Sequence, residues 1–137
     1  MDPRLYILMR TDLDSMNAGK AMAQAAHAAN AFVVDVARVV TTPDTFFNVA
    51  GFKEWAAQTD QGFGTTITLA ASDEEQLNKA VASAKRHGLV ADLILDPTYP
   101  VRDGHVTHLV PVITCAYAFV PDTRLCPDYI AGFSLHP

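Results

Sequence analysis

Lys20, Gln24 and His27 can bind an anion, exchange hydrogen bonds and carry a proton, and they recur at spacings of four and three residues in a run dominated by alanine. On a helix turning about 100° per residue they fall within one arc of about 60°. Alanine neighbours leave such groups uncovered, so a cation, an amide and a base can converge on one ligand. The stripe continues through Asp35 and Arg38, as a solvated helix edge would. Ahead of it, the turn Asp12-Leu13-Asp14-Ser15-Met16-Asn17-Ala18-Gly19-Lys20 leads out of an apolar run. A helix N-terminus there would present free amides and a partial positive charge to an anion. Gly19 permits close approach and Lys20 adds a full charge. A nucleoside-triphosphate P-loop is excluded: Ala21 follows the lysine, and no glycine precedes Gly19 in the loop.

A second set of chemical groups lies in Asp96-Pro97-Thr98-Tyr99-Pro100-Val101-Arg102-Asp103-Gly104. It offers a carboxylate, the Thr98 hydroxyl and the Arg102 guanidinium near a strand end, where α/β proteins often hold ligands. His105 and His108 are three apart on an expected strand and so face opposite ways. Cys115 and Cys126 have no metal-ligand spacing. No metal and no cofactor is expected.

The elements that must position these groups belong to a chain of 137 residues, a length that suits a single domain spanning 1–137 with a core of its own. Hydrophobic residues make up 50% and charged residues 18%, which excludes an intrinsically disordered chain. The net charge of −5 excludes a generic basic nucleic-acid binder and confines any such role to a local site. Alanine accounts for 21 residues, seven of them between Ala21 and Ala31. Ala21 to Val40 is long enough to cross a bilayer, but it carries Asp35 and Arg38, each costing about 2.5–3.5 kcal/mol at mid-bilayer. No membrane span is expected. The N-terminus lacks the form of a signal peptide, and two cysteines read as reduced thiols, so the expected compartment is the cytoplasm.

The apolar run Leu5 to Met9 predicts a buried strand, followed by a helix from about Ala18 to Val40. Thr42-Pro43-Asp44 stops that helix and caps a second, about Asp44 to Ala57. Thr65 to Leu69 predicts a strand. Ser72 with Glu75 forms a capping box for a third helix, whose apolar stripe is Leu77, Ala80, Val81 and Ala84. Lys85, Arg86 and His87 close it against a Gly88 cap. Leu89 to Leu95 and Val106 to Phe119, the latter interrupted at Pro111, predict two more strands, and Asp128 to Phe133 a last helical turn. The order β-α-α-β-α-β-β-α implies an α/β sandwich. Its four-stranded sheet would be mixed and mostly parallel, fed by two helix crossovers, with the short Asp96–His105 connection making one antiparallel neighbour.

Taken together, these residues resemble the type 2 (archaeal and eukaryotic-type) peptidyl-tRNA hydrolases. That family runs from a hydrophobic strand into Arg-Thr/Asn-Asp-Leu, then Met-Gly-Lys-Gly-Lys, then a helix with Ala-Ala-Gln-x-x-His-Ala. The corresponding segments are Arg10-Thr11-Asp12-Leu13, Met16-Asn17-Ala18-Gly19-Lys20 and Met22-Ala23-Gln24-Ala25-Ala26-His27-Ala28. The likeness continues through Gly88-Leu89, Asp96, Gly104-His105-Val106-Thr107 and Ile130-Ala131-Gly132-Phe133. The resemblance implies hydrolysis of the ester joining a peptide to its tRNA, with peptidyl-tRNA or the tRNA 3′ end as partner. It casts Lys20 as the cation at phosphate or oxyanion, His27 as a proton-handling group, Asp96 as a carboxylate orienting water or a hydroxyl, and Thr107 as a hydroxyl donor. Asp12 and Gln24 become supports for those groups. Two departures stand out. Ala18 occupies the place of the family's first lysine, and Thr98-Tyr99-Pro100-Val101 replaces its Gly-Arg-Thr-Gln, leaving Thr98 and Arg102 as substitutes from other positions.

Three readings follow. The chain is a peptidyl-tRNA hydrolase-like esterase, or a catalytically inactive module of the same fold that binds tRNA, a small molecule or a protein. In either case the alanine-rich helix face can also pair in a homodimer.

Overall fold

A computed structural model describes residues 2–41 and 48–137. Strand β1 (Arg4–Arg10) leads to helix α1 (Ala18–Thr41), and helix α2 (Val49–Ala57) precedes strand β2 (Thr66–Ala71). Helix α3 (Glu74–Arg86), strand β3 (Ala91–Asp103) and strand β4 (Val106–Val120) follow, with a 3-10 turn at Thr123–Leu125 and the short helix α4 (Asp128–Ala131). The expected element order holds. The expected Thr42-Pro43-Asp44 stop and the first turn of the second helix lie outside the described residues.

The sheet order is β2-β1-β4-β3. Only β1 and β2 pair in parallel; β4 runs antiparallel to both β1 and β3. The sheet is therefore mixed and mostly antiparallel, which corrects the mostly parallel expectation. The helical crossovers do return β2 and β3 in the direction of β1. But β4 inserts between β1 and β3, so the codirectional strands never meet there. The reason is local. Asp96–Asp103 of the expected Asp96–His105 connection is itself strand, and β3 turns into β4 through a two-residue turn at Gly104-His105 with Gly104 at φ +60.

Alternation along the strands sends side chains to two cores. Leu5, Ile7 and Met9 of β1 with Tyr117 and Phe119 of β4 pack under α1 and α2 around Phe32 and Trp55. Leu8, Ala116 and Ala118 pack under α3 with Leu77, Ala80, Val81 and Ala84, the predicted stripe. The Phe32 ring stacks on Phe119 at 5.0 Å and meets Trp55 edge-on at 5.4 Å, fixing the rotation of α1 over the sheet.

The capping box of α3 sits one residue later than Ser72/Glu75. The Asp73 carboxylate accepts from the Gln76 amide, and the Gln76 side chain accepts from the Ser72 amide. Asp73 takes the cap because its extended backbone places the carboxylate over the first turn. At the other end Gly88 adopts φ +74, as the cap required. Asp73→Ala is accordingly expected to lower stability by about 1 kcal/mol in denaturant unfolding, with a smaller loss for Ser72→Ala; the reverse ranking would put the cap back on Ser72.

Candidate functional site

The polar stripe of α1 runs along the β3–β4 edge, with Gln24 turned in to the sheet and His27 and Arg38 exposed. Gln24, in its middle, is 3% exposed. Its Nε2 donates to Asp96 Oδ2 at 2.7 Å, and its Oε1 accepts from the Thr114 hydroxyl at 2.7 Å. Both ends of a buried amide are thus satisfied, and its orientation is fixed by a carboxylate on one side and a hydroxyl donor on the other.

Two bulges build this contact. Ile94 pairs with Cys115 and Leu95 with Ile113, so Thr114 is the extra residue on β4. Strict alternation from Ala116 and Ala118 would send Thr114 toward α3. The bulge turns it toward α1 beside Cys115, whose thiol donates to the Gln24 carbonyl at 3.5 Å. Burial foremost pushes the Cys115 thiol up to about 11, so it stays protonated and serves as that donor. The second irregularity falls between Asp96 and Tyr99, across from Pro111, where a proline without an N–H is tolerated. There Thr98 folds back so that its amide, at 2.9 Å, and its hydroxyl, at 3.4 Å, donate to Asp96 Oδ1.

Asp96 therefore has both oxygens engaged. Desolvation raises its pKa, but the bonds from Gln24 and Thr98 and the nearby His27 charge outweigh it and hold the carboxyl below its ordinary range. His27 itself is exposed, one turn beyond Gln24 on the same stripe. One turn before Gln24, the Lys20 ammonium donates to the Pro100 carbonyl at 3.2 Å and lies 5.4 Å from the centre of the Tyr99 ring. Asn17 caps α1 by accepting from the Lys20 amide at 2.9 Å, and Gly19 is exposed in that first turn. Farther along the stripe, the Tyr117 hydroxyl donates to Asp35, which together with burial raises the tyrosine pKa.

Asp12 stands beside this cluster rather than in it. Arg10 binds its carboxylate with two bonds of 2.9 Å and also donates to the Ile113 carbonyl at 2.9 Å, tying the turn to β4. The Arg10 bond holds the Asp12 carboxyl below its usual range. Asp12 and Arg102 meet instead along a neighbouring groove of ≈ 540 Å³, lined also by Leu13, Ser15, Tyr99 and Val101.

Thr107 and Arg102 are register partners near the exposed tip of the β3–β4 hairpin. Five ladder positions separate Thr107 from Val112, the partner of Asp96, which is roughly 17 Å at strand rise. The structure thus brings Lys20, Gln24, His27, Asp96 and Thr98 together and places Thr107 away from them. Thr114 is the hydroxyl that sequence reasoning missed. His105 and His108 are both exposed on the hairpin. Among the described residues no group of three His, Cys, Asp or Glu side chains is placed to hold a metal ion, and no helix is long and apolar enough to cross a membrane.

The arrangement offers an ammonium for an anion, a fixed amide, a carboxylate kept ionised and an exposed imidazole beside them. Those are the parts needed to hold a charged ester and move one proton.

Comparison with known proteins adds an independent result. The family model described as Peptidyl-tRNA hydrolase PTH2 matches residues 4–124. No curated protein matches the sequence. Among solved structures, a protein of unknown function from Agrobacterium tumefaciens strain C58 superposes with a TM-score of 0.56 at 11% identity, over 100% of this chain and 99% of that one; at that identity the likeness concerns the fold.

If the Gln24 amide ties Thr114 to Asp96, Gln24→Leu costs about 1–3 kcal/mol, because buried Thr114 and half-buried Asp96 both lose their bonds. The Asp96 pKa rises in the same variant. A depressed carboxylate contributes stability that is present above its unfolded pKa and lost as pH falls through its folded pKa. The deficit of Gln24→Leu is therefore greatest near neutral pH and narrows in acid, as denaturant melts across pH would record. A pH-independent deficit would contradict this.

Proposed function

The chain belongs to the peptidyl-tRNA hydrolase PTH2 family, and from that premise we propose that it cleaves the ester joining a peptide to the 3′ end of tRNA. One observation carries the reading: the Gln24 amide is fixed between Asp96 and Thr114, one helical turn from Lys20 and one from His27. In the proposed reaction a water adds to the ester carbonyl carbon while its proton passes to the His27 imidazole. Lys20 binds the adjacent phosphate or the developing oxyanion. The intermediate collapses by breaking the bond to the ribose oxygen, which takes the proton from His27 and leaves as the tRNA hydroxyl. Asp96, ionised and with both oxygens engaged, acts as a fixed negative charge beside the reacting groups rather than as the base. Thr98 and Thr114 hold Asp96 and Gln24 in place.

Gly19 keeps the first turn of α1 open to the tRNA end, while Asp12 supports the turn that carries it. Arg102 and Thr107, on the hairpin, are placed to meet the tRNA body rather than the ester. An acidic chain binds RNA through such local contacts, and the action belongs in the cytoplasm, where peptidyl-tRNA arises.

The decisive assay is release of peptide from peptidyl-tRNA. Lys20→Ala, His27→Ala and Asp96→Ala are each expected to fall about 10²–10⁴-fold in kcat/KM while remaining folded. Binding of tRNA without turnover by the wild-type protein would instead establish an inactive module, a reading favoured by Tyr99 and Pro100 standing in the Asp96–Gly104 segment.

Self-association is proposed as well. The charges of α1, Lys20, Asp35 and Arg38, all lie on one polar stripe, while Met22 (71%), Val33 (53%) and Val40 (51%) are exposed on an uncharged arc away from it. An antiparallel second copy brings Met22 opposite Val40 and Ala29 opposite Val33, pairing large residues with equal or smaller ones, with no like charges in contact. Sedimentation should show a dimer that dissociates on dilution and a monomer for Val33→Asp; a wild-type monomer at all concentrations would remove the proposal.

A further inference from the structure

We propose that Tyr99 is a positioning residue that holds the Lys20 ammonium in place, one helical turn from Gln24, by presenting its ring face to the charge. The inference rests on the reading of Lys20 as the contact for substrate phosphate or oxyanion. Lysine ends a flexible four-carbon stem, and in the first turn of a helix it samples many rotamers unless something holds it. Here two things do. Its ammonium lies 5.4 Å from the Tyr99 ring centre, within the range of cation–π attraction, and donates one N–H to the Pro100 carbonyl at 3.2 Å. Tyr99 is well suited to the task because it cannot move: it is 1% exposed, its hydroxyl accepts from Ser15 at 3.0 Å, and that hydroxyl lies 3.9 Å from the Met16 sulfur. The residues that fix the ring thus come from the turn that opens α1, so the turn, the ring and the lysine form one unit.

The chemistry of the holder matters. A second carboxylate would fix Lys20 more strongly but would neutralise it. A ring face attracts the charge without a carboxylate's competing full charge, and the single carbonyl occupies only one of three N–H donors. The ammonium is left charged, restrained and able to receive an anion.

This also accounts for the two departures from the family pattern. Ala18 stands in place of one lysine, and Tyr99 and Pro100 fall where Gly-Arg-Thr-Gln would supply an arginine. With fewer cations at the turn, restraint of the remaining one replaces number.

The test reads Lys20 directly. In a lysine side-chain NMR spectrum of the wild-type protein, with the Lys20 signals identified by their disappearance in Lys20→Arg, its terminal methylene protons are expected upfield of those of Lys53, Lys79 and Lys85 because of the ring current. Tyr99→Leu should abolish the displacement and Tyr99→Phe should retain it, since Phe keeps the ring and loses only the hydroxyl's contacts with Ser15 and the Met16 sulfur. In the hydrolysis assay Tyr99→Leu is expected to fall about threefold to thirtyfold in kcat/KM, the span a cation–π contact supports, with Tyr99→Phe recovering most of the loss. Lys20 signals coincident with those of the other lysines in the wild type would overturn the proposal without use of any variant, so a misfolded Tyr99→Leu leaves it decidable. A folded Tyr99→Leu that loses the displacement yet matches wild type in kcat/KM would overturn it too. Absence of hydrolysis by the wild type would count against the esterase reading alone. The same ranking of wild type, Tyr99→Phe and Tyr99→Leu in Kd for deacylated tRNA would then support the positioning role, and equal Kd values would overturn it.

Discussion

A primary amide buried in a protein core costs several kcal/mol unless both its ends are hydrogen-bonded, and the placement of Gln24 makes much of this structure answer to that constraint. The amide oxygen needs a donor from the sheet and the amide nitrogen needs an acceptor. Thr114 and Asp96 supply them: Asp96 follows the alternation set by Ile94, whereas Thr114 reaches the amide only because β4 bulges there. One bulge turns Thr114 under the helix; the other folds Thr98 onto Asp96 and keeps the carboxylate in place. The aromatic packing of Phe32 sets the rotation of α1 that points Gln24 at both. Lys20 and His27 then follow at the two ends of the same stripe.

This dependence explains which parts of the molecule could be read from the amino-acid order. The α3 stripe of Leu77, Ala80, Val81 and Ala84 and the Gly88 cap follow local periodicity and backbone preference, and they appear in the structure where those rules put them. Lys20, Gln24 and His27 were visible as a stripe for the same reason, although periodicity alone left open whether it faced solvent or the sheet. Thr114 was invisible because a bulge violates the alternation on which strand reading depends: counting from Ala116 and Ala118 assigns it to the wrong face. The direction of pairing was hidden by a related effect. Two prolines and a glycine between Asp96 and Gly104 read as a connection, yet Pro97 and Pro100 sit on an edge strand, where a missing N–H is tolerated, and the segment extends β3 into a long hairpin. That extension also carried Thr107 away from the cluster, since matching by local motif takes no account of added hairpin length.

Composition acquires a physical meaning in this setting. The alanines of α1 leave the polar stripe uncovered and allow close packing on the sheet. The charge of −5 is compatible with an anionic partner because Lys20 is locally restrained, Asp12 is neutralised by Arg10, and Asp96 is enclosed by donors. What matters at the site is the local sign of the field, not the sum over the chain.

The central claim is that Thr114 and Asp96, which share no hydrogen bond, act as one unit through the Gln24 amide. A double-mutant cycle on unfolding free energy with Thr114→Val and Asp96→Asn tests it most directly. The account predicts that the two substitutions are non-additive, with a coupling of about 0.5–3 kcal/mol. Additivity within about 0.3 kcal/mol, the behaviour of independent sites, would contradict it.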